Sequence, residues 1–150
     1  MSQLGGKSPA VIDPNCDLKT TATRLLWAKA VNAGQVCLTP DYVLVLRSFQ
    51  DKFIDALIET YVPITNAFII ITIHLFIILA FSHNRFYPDG IAKSNSFGRI
   101  ISPHHFARIK GLLDKTKGTI VVGGETDADT KYIALTVVKD VKGDDALMGE

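Results

Sequence analysis

Asn32-Ala33-Gly34-Gln35-Val36-Cys37 is the segment around which this 150-residue chain is best understood, because it places a cysteine directly after a helical run and a glycine turn. The preceding residues, Leu18 to Ala33, carry apolar side chains at near 3.6-residue spacing, and Asp17 can cap such a helix. Gly34 is a natural helix end. Taken alone, Cys37 is either a small buried hydrophobic residue or a nucleophile.

The rest of the pattern alternates strands with helices. Short apolar runs rich in β-branched residues predict strands, and apolar residues at helical spacing after Ser or Pro predict helices. The predicted elements are strands at Ser8–Asp13, Tyr42–Leu46, Thr119–Val122 and Tyr132–Val138, and helices at Leu18–Ala33, Phe49–Tyr61 and Pro103–Lys115, the last capped by Ser102. Such an order predicts an α/β fold with parallel strand pairs in one domain.

Composition excludes several classes of protein. Hydrophobic residues make up 47% of the chain, charged residues 21%, and the net charge is +1, without a basic run of the kind that binds nucleic acid. Cys16 and Cys37 form neither a disulfide framework nor a metal-ligand cluster, and Cys16 is predicted to be a buried or partly buried structural thiol. The residues from Met1 to Gly6 resemble no secretion or import signal, which predicts a cytoplasmic protein.

One apolar run interrupts this order. Residues Pro63 to Phe81 contain no Lys, Arg, Asp or Glu, and the run approaches the about 20 residues of a membrane span. Arg85 follows it, but aromatic residues flank it only at Tyr61 and Tyr87. Considered alone, the run indicates a membrane span or hairpin.

Two motifs together give the chain a family resemblance. Gln3-Leu4-Gly5-Gly6-Lys7-Ser8-Pro9 lies upstream of the Cys37 segment, which is flanked by Trp27-Ala28-Lys29 and Pro40-Asp41-Tyr42. This arrangement resembles the aldehyde dehydrogenase family, and Pro-Asp-Tyr is typical of its class 3 and fatty-aldehyde branch. The resemblance implies part of the family's catalytic domain, with a three-layer α/β/α-type sheet that is incomplete at both ends.

The resemblance also implies a chemistry. Members oxidise an aldehyde to a carboxylic acid with NAD or NADP, through a thiohemiacetal and a thioester on the cysteine. Cys37 matches the nucleophile, its backbone N–H matches part of the oxyanion hole, and Asn32, Gly34 and Gln35 match the supporting motif. Long-chain or aromatic aldehydes are the implied substrates, and intact members form homo-oligomers. No metal ligand is assigned.

Gln3 departs from the family pattern. The family carries a glutamate there, which acts as general base, whereas a glutamine amide cannot accept a proton near neutral pH. Two interpretations stay open: a true substitution, which slows deacylation, or an irregular start of the sequence near an exon junction.

A second departure is an insertion. In similar aldehyde dehydrogenases the helix that ends at Tyr61 runs almost directly into Tyr87, so Val62 to Arg85 interrupts an otherwise continuous match. A valine codon begins with GT, and Asn84-Arg85 can be encoded with AG at the junction. We hypothesise a retained intron, with a membrane segment as the alternative. A genomic sequence that lacks these dinucleotides would contradict the hypothesis.

The resemblance further predicts what the chain does alone. The family's dinucleotide-binding domain lies almost entirely upstream of the Gln3 position, so no cofactor-binding residue is assigned and the chain is expected to be inactive by itself. Two alternative functions remain. One is a membrane-anchored protein that uses residues 63–81, with a membrane-associated location. The other is a non-catalytic interaction fragment that pairs with full-length subunits through exposed sheet edges.

Overall fold

The computed structural model of the protein describes residues 6–65, 87 and 90–149. Three α-helices and six short strands make up its regular structure, joined by single turns of 3₁₀-helix. In chain order they are β1 (Pro9–Ile12), α1 (Leu18–Ala30), β2 (Tyr42–Val45), α2 (Gln50–Thr65), α3 (Pro103–Lys115), β3 (Thr119–Val122), β4 (Thr126–Asp127), β5 (Tyr132–Ile133) and β6 (Val137–Lys139). The 3₁₀ turns are Val31–Gly34, Arg47–Phe49, Ile91–Lys93 and Ala146–Met148. The α/β fold class predicted from the sequence is confirmed.

The first half contains a β-α-β unit. Strands β1 and β2 pair in parallel, from Pro9 opposite Tyr42 to Ile12 opposite Val45, and α1 forms the crossover between them. Parallel strands need a connection of this length, because a tight turn reverses the chain direction. The prediction of a parallel pair is therefore confirmed here, and the unit brings the end of α1 close to the start of β2.

The later strands differ from the prediction. β3 pairs with β6 and β4 with β5, and both pairs are antiparallel. The prediction of one continuous strand from Tyr132 to Val138 is therefore wrong, because β5 and β6 are separate strands. Residues 134–136 interrupt the strand. Here Thr136 Oγ1 donates to the carbonyl oxygen of Ala134 at 2.8 Å and accepts from the N–H of Gly124 at 3.0 Å. Since no helix separates these strands, the short links favour antiparallel pairing.

The core lies between the β-α-β unit, α2 and the segment around Phe97. Helices α1 and α2 pack against each other through Leu26, which is 3% exposed, and Phe53, which is 2% exposed. The other buried members of this cluster are Ile12, Ala22, Ala30, Phe49, Ala56, Leu57, Ile91, Phe97 and Leu135. Cys16 packs against its edge and is partly buried, as predicted.

Two helix ends differ from the expected positions. α1 ends at Ala30 and not at Ala33, because Asn32 and Ala33 have positive φ angles that no right-handed helix accommodates. α2 continues to Thr65, beyond the predicted end at Tyr61. α3 begins as predicted, since the Ser102 hydroxyl accepts from the N–H of His105 at 3.2 Å.

The apolar run Pro63–Phe81 and the insertion Val62–Arg85 lie outside the described residues beyond Thr65. Within residues 6–65, 87 and 90–149, no helix has the length and apolar character that a bilayer crossing needs. The insertion and the membrane span therefore stay predictions.

The packing of α1 on α2 predicts a large effect of one substitution. Phe53→Ala should lower the free energy of unfolding by about 3–5 kcal/mol, because the cavity left by a buried aromatic ring collapses only partly. Denaturant unfolding measures the loss. Asp55→Ala, at an exposed position of the same helix, is the matched control and should change stability by less than about 0.5 kcal/mol. A loss below about 1 kcal/mol for Phe53→Ala would contradict this core.

Candidate active site

The loop that carries Cys37 begins with three consecutive left-handed residues. Asn32, Ala33 and Gly34 have φ angles of 49°, 53° and 75°. Gly adopts this region freely and Asn tolerates it, but for alanine it costs roughly 1–2 kcal/mol. The turn reverses the chain after α1 and sends Cys37 to the surface, where it is exposed.

Gln35 joins this turn to a distant part of the chain. Its Nε2 donates to the carbonyl oxygen of Asn32 and to that of Arg99, each at 3.0 Å, and its Oε1 accepts from the N–H of Ile101 at 3.0 Å. Both ends of the amide are therefore bonded, and their orientation is fixed, because a flipped amide would place N–H against N–H. The side chain holds the loop against residues 99–101.

A carboxylate secures the loop from the other side. Asp41 Oδ2 accepts from the N–H of Ser8 at 3.1 Å, and Oδ1 accepts from Lys29 Nζ at 3.1 Å. The N–H of Asp41 donates in turn to the carbonyl oxygen of Ser8 at 2.9 Å. The Lys29 stem crosses Gly34, since a Cβ there would lie 3.2 Å from Lys29 Cε. The ends of the loop are thus tied to α1 and to the residue before β1.

Cys37 itself has few polar contacts. Ser8 Oγ donates to its carbonyl oxygen at 3.5 Å, whereas its own N–H donates to no acceptor among residues 6–65, 87 and 90–149. The next turn is closed by the N–H of Thr39, which donates to the carbonyl oxygen of Val36 at 2.9 Å, and Thr39 is buried. The flanking Val36 and Leu38 are 39% and 83% exposed. Cys37 is therefore exposed between two apolar residues, and its backbone N–H has no hydrogen-bond acceptor among the described residues.

A cavity of about 1120 Å³ adjoins this loop. Gly34 and Gln35 line it together with parts of β2, α2 and β6, but Cys37 does not. The cavity is consequently not the thiol's own pocket. His104 and His105 are exposed in the first turn of α3, and no cluster of potential metal ligands occurs in the part of the chain that the structure describes.

Comparison with known proteins gives this loop a context. The profile of the aldehyde dehydrogenase family matches residues 1–70. Aldehyde dehydrogenase family 3 member B1 of Rattus norvegicus is 38% identical over 148 residues, which is 99% of this chain and 26% of that protein. AldH of Staphylococcus aureus, solved in a substrate-bound state, superposes with a TM-score of 0.77 at 33% identity, over 98% of this chain and 27% of that one. Over nearly its whole length, the chain is similar to aldehyde dehydrogenases.

Further proteins are similar to this chain over the same length. Beta-apo-4'-carotenal oxygenase of Neurospora crassa is 36% identical over 99% of this chain and 24% of its own. Betaine aldehyde dehydrogenase of Staphylococcus aureus, solved in complex with NAD+, has a TM-score of 0.70 at 26% identity, over 98% of this chain and 26% of its own. The chain spans about a quarter of the length of the relatives that it matches.

Not all of the predicted site residues are visible together. The structure brings Asn32, Gly34, Gln35 and Cys37 into one loop, whereas Gln3 lies outside the described residues. Sequence reasoning missed the Ser8–Asp41–Lys29 contacts and the contact of Gln35 with residues 99–101. Asp41 was visible only as part of the Pro-Asp-Tyr motif, and no local pattern signals a partner 64 residues away in sequence.

The β-α-β unit of the described residues does not fit a dinucleotide cofactor. In a dinucleotide-binding β-α-β unit the pyrophosphate sits on the helix N-terminus behind a glycine-rich turn. In the unit formed by β1, α1 and β2, that terminus is covered by the Asp17 carboxylate, which accepts from the N–H of Thr20 at 2.7 Å, and no glycine occurs from Asp13 to Asp17. A negative charge there repels a phosphate.

The Asp41 contacts predict a pH dependence. Burial alone would raise the pKa of Asp41, but the Ser8 N–H and the Lys29 ammonium outweigh it and hold that pKa below its ordinary value. A depressed folded-state pKa stabilises the fold fully above the unfolded pKa of about 3.9 and loses this contribution as pH falls through the folded value. Asp41→Asn should therefore cost about 1 kcal/mol at neutral pH and less in acid.

Thermal unfolding of both proteins between neutral pH and pH 3 measures this difference. Asp55→Asn, at an exposed position of α2 without these hydrogen bonds, is the matched control and should follow the parent at every pH. A constant gap between Asp41→Asn and the parent across the range would contradict the role of the ionised carboxylate.

Proposed function

We propose that Cys37 is the nucleophile of an aldehyde-oxidising enzyme of the aldehyde dehydrogenase family. The observation that carries the proposal is the exposed thiol at the end of a turn that contains a left-handed alanine and is held by Gln35 and Asp41. Strained backbone of this kind persists where its surroundings over-determine it, and it clusters at active sites. A cysteine with only a structural role would be buried, and it would not need a left-handed turn held by Gln35 and Asp41.

The chemistry assigned to this chain is nucleophilic addition. The Cys37 thiolate attacks the carbonyl carbon of the aldehyde, a C–S bond forms, and the π electrons move to the carbonyl oxygen. The backbone N–H of Cys37, which has no acceptor among the described residues, is the donor that we assign to this oxyanion. Asn32, Gly34 and Gln35 support the loop. NAD or NADP is the cofactor that the family resemblance favours, although the unit formed by β1, α1 and β2 lacks the features that would hold it.

Long-chain or aromatic aldehydes are the proposed substrates. The Pro40-Asp41-Tyr42 motif and the similarity to family 3 members support this class. The apolar Val36 and Leu38 beside the thiol are consistent with an apolar substrate. Carboxylic acid is the corresponding product.

Acylation by an activated ester, without turnover, is the behaviour expected of the chain alone, because a thioester forms from an aldehyde only when NAD or NADP accepts the hydride. Gln3 occupies the position of the general base and cannot take a proton from water, so a thioester on Cys37 should persist. A cytoplasmic location, the membrane-associated alternative and a homo-oligomeric state stay predictions.

An activated aryl ester tests the nucleophile without a cofactor. Its acyl group transfers to a thiolate with release of the phenolate, so no hydride acceptor is needed. We expect intact-mass spectrometry to show one added acyl group, which peptide mapping should place on Cys37. Cys16, packed against the core edge, is the internal control and should stay unmodified. Equal labelling of both cysteines, or none, would contradict the proposal.

One observation favours the alternative of an interaction fragment. Val11 and Leu44 are partners in the β1–β2 register, and they are 77% and 51% exposed. Parallel sheets normally have both faces covered, so this apolar face favours a covering partner. Co-purification with a full-length family member would support this alternative, and a monomeric chain that acylates Cys37 would favour the enzyme.

A further inference from the structure

The turn before Cys37 rests against a second segment, Phe97-Gly98-Arg99-Ile100-Ile101, which the chemistry above leaves without a role. Gly98 is the point of closest approach. A Cβ on Gly98 would lie 3.0 Å from the carbonyl carbon of Asn32, 3.2 Å from the nitrogen of Ala33 and 3.3 Å from the Cα of Asn32. All three are backbone atoms of the left-handed turn, so no flexible side chain can move aside.

This segment is itself firmly held. Phe97 and Ile100 are 5% and 3% exposed, and the N–H of Ile100 donates to the carbonyl oxygen of Lys131 at 3.0 Å. The Arg99 guanidinium donates to the carbonyl oxygens of Phe97 at 2.9 Å and Ala92 at 2.6 Å, and it lies 5.2 Å from the centre of the Tyr132 ring. The segment is therefore a fixed support, and the turn is shaped against it.

We propose that Gly98 is a positioning residue for Cys37. Its missing side chain lets the Phe97–Ile101 segment touch the backbone of Asn32 and Ala33, while the Gln35 amide bonds that same segment at Arg99 and Ile101. This contact and these hydrogen bonds together stabilise the left-handed conformation of Asn32 and Ala33, which an unsupported chain would not keep. The direction of the Cys37 N–H and thiol follows from that turn. This inference rests on the proposed function of Cys37.

Gly98→Ala tests the proposal. The added methyl group pushes the turn away from its support by a few tenths of an ångström. A misplacement of about 1 Å can cost roughly 10²-fold in rate, so a smaller loss is expected here. We expect the rate of Cys37 acylation by the aryl ester to fall by roughly 10-fold. Alkylation of Cys37 by iodoacetamide should not change, because that reaction needs an accessible thiol and no oxyanion donor. A merely structural defect would alter both reactions and would also expose Cys16.

Gly111→Ala is the matched control, since nothing lies within 4 Å of a Cβ at this position in α3. It should leave both Cys37 reactions at the parent's rates. A folded Gly98→Ala protein that acylates Cys37 as fast as the parent would overturn the proposal. If Gly98→Ala does not fold, Gln35→Met removes the hydrogen bonds without adding bulk next to the turn and should give the same split between acylation and alkylation. Equal effects on the two reactions would overturn the proposal.

Hydrogen exchange separates this inference from the proposed function. If the parent acylates Cys37 no faster than a cysteine in an unfolded peptide, the proposed function fails. The positioning contact is then judged by the N–H of Ile101, which donates to Gln35 Oε1. Faster exchange of this amide in Gly98→Ala, with unchanged exchange in Gly111→Ala, supports the contact. Identical exchange in the parent and Gly98→Ala overturns it.

Discussion

Cys37→Ser is expected to lower ester acylation by roughly 10³-fold or more, in keeping with the loss seen when an enzyme's nucleophile is removed. A thiol ionises near pH 8.5 and reacts as the thiolate, whereas a serine hydroxyl needs an adjacent base. No histidine or carboxylate is hydrogen-bonded to Cys37 in residues 6–65, 87 and 90–149, so the introduced hydroxyl has no hydrogen-bonded base there. Intact mass and the rate of phenolate release measure the effect.

Cys16→Ser is the matched control for this substitution. It makes the same chemical change at the chain's other cysteine, which packs against the core and lies outside the loop. Acylation should stay at the parent's rate, with a modest loss of thermal stability from placing a hydroxyl at an apolar edge. If Cys37→Ser retains acylation, or if Cys16→Ser loses it, Cys37 is not the nucleophile.

Periodicity and turn residues were enough to predict much of the fold. The β-α-β unit follows from an apolar strand, a capped helix and a second β-branched strand, and α3 follows from Ser102-Pro103 before an amphipathic run. These signals are local, because the residues within each element are enough to indicate whether it is a helix or a strand. The second half departs because Thr136 interrupts the strand that residues 132–138 predict. A side-chain hydrogen bond to a nearby backbone group competes with the strand ladder, which strand propensity alone does not reveal.

The candidate site was predictable in its residues but not in its geometry. The motif around Cys37 marks Asn32, Gly34 and Gln35, and the structure places them in one loop. Helical spacing favoured continuation of α1 to Ala33, yet Asn32 and Ala33 are left-handed. That turn lies against Gly98, and Gln35 beside it bonds the carbonyl oxygen of Arg99; both partners are distant in sequence. Local propensity carries no information about such partners, so tertiary contacts override it here.

Gln3→Glu is the second substitution with a large expected effect, and it is a gain. Position 3 is the proposed general-base position, and a carboxylate there can take a proton from the water that attacks the thioester. General base catalysis of this kind contributes typically 10²–10⁴-fold. We expect the Cys37 thioester to hydrolyse about 10²-fold faster or more in the variant, while its formation from the aryl ester changes little. The variant should therefore hydrolyse the ester repeatedly, whereas the parent stops after a single acylation of Cys37.

The decay of acylated protein measures this gain directly. The protein is acylated, freed from excess ester, and followed by intact mass over time. Gln3→Ala is the matched control, because it changes the same position without supplying a base, and its thioester should persist as in the parent. The added rate in Gln3→Glu should rise with pH through the pKa of the introduced carboxyl, near 4.3 when unperturbed, since only the ionised form accepts a proton.

The result also discriminates between the two interpretations of Gln3. Faster deacylation in Gln3→Glu, but not in Gln3→Ala, means that position 3 lies within reach of the thioester, so glutamine is a true substitution in an otherwise competent site. Equal decay in the parent and both variants means that residue 3 does not approach Cys37 and belongs to an irregular start of the sequence. The nucleophile is unaffected by either result, because acylation by the ester requires Cys37 and its loop but no base at position 3.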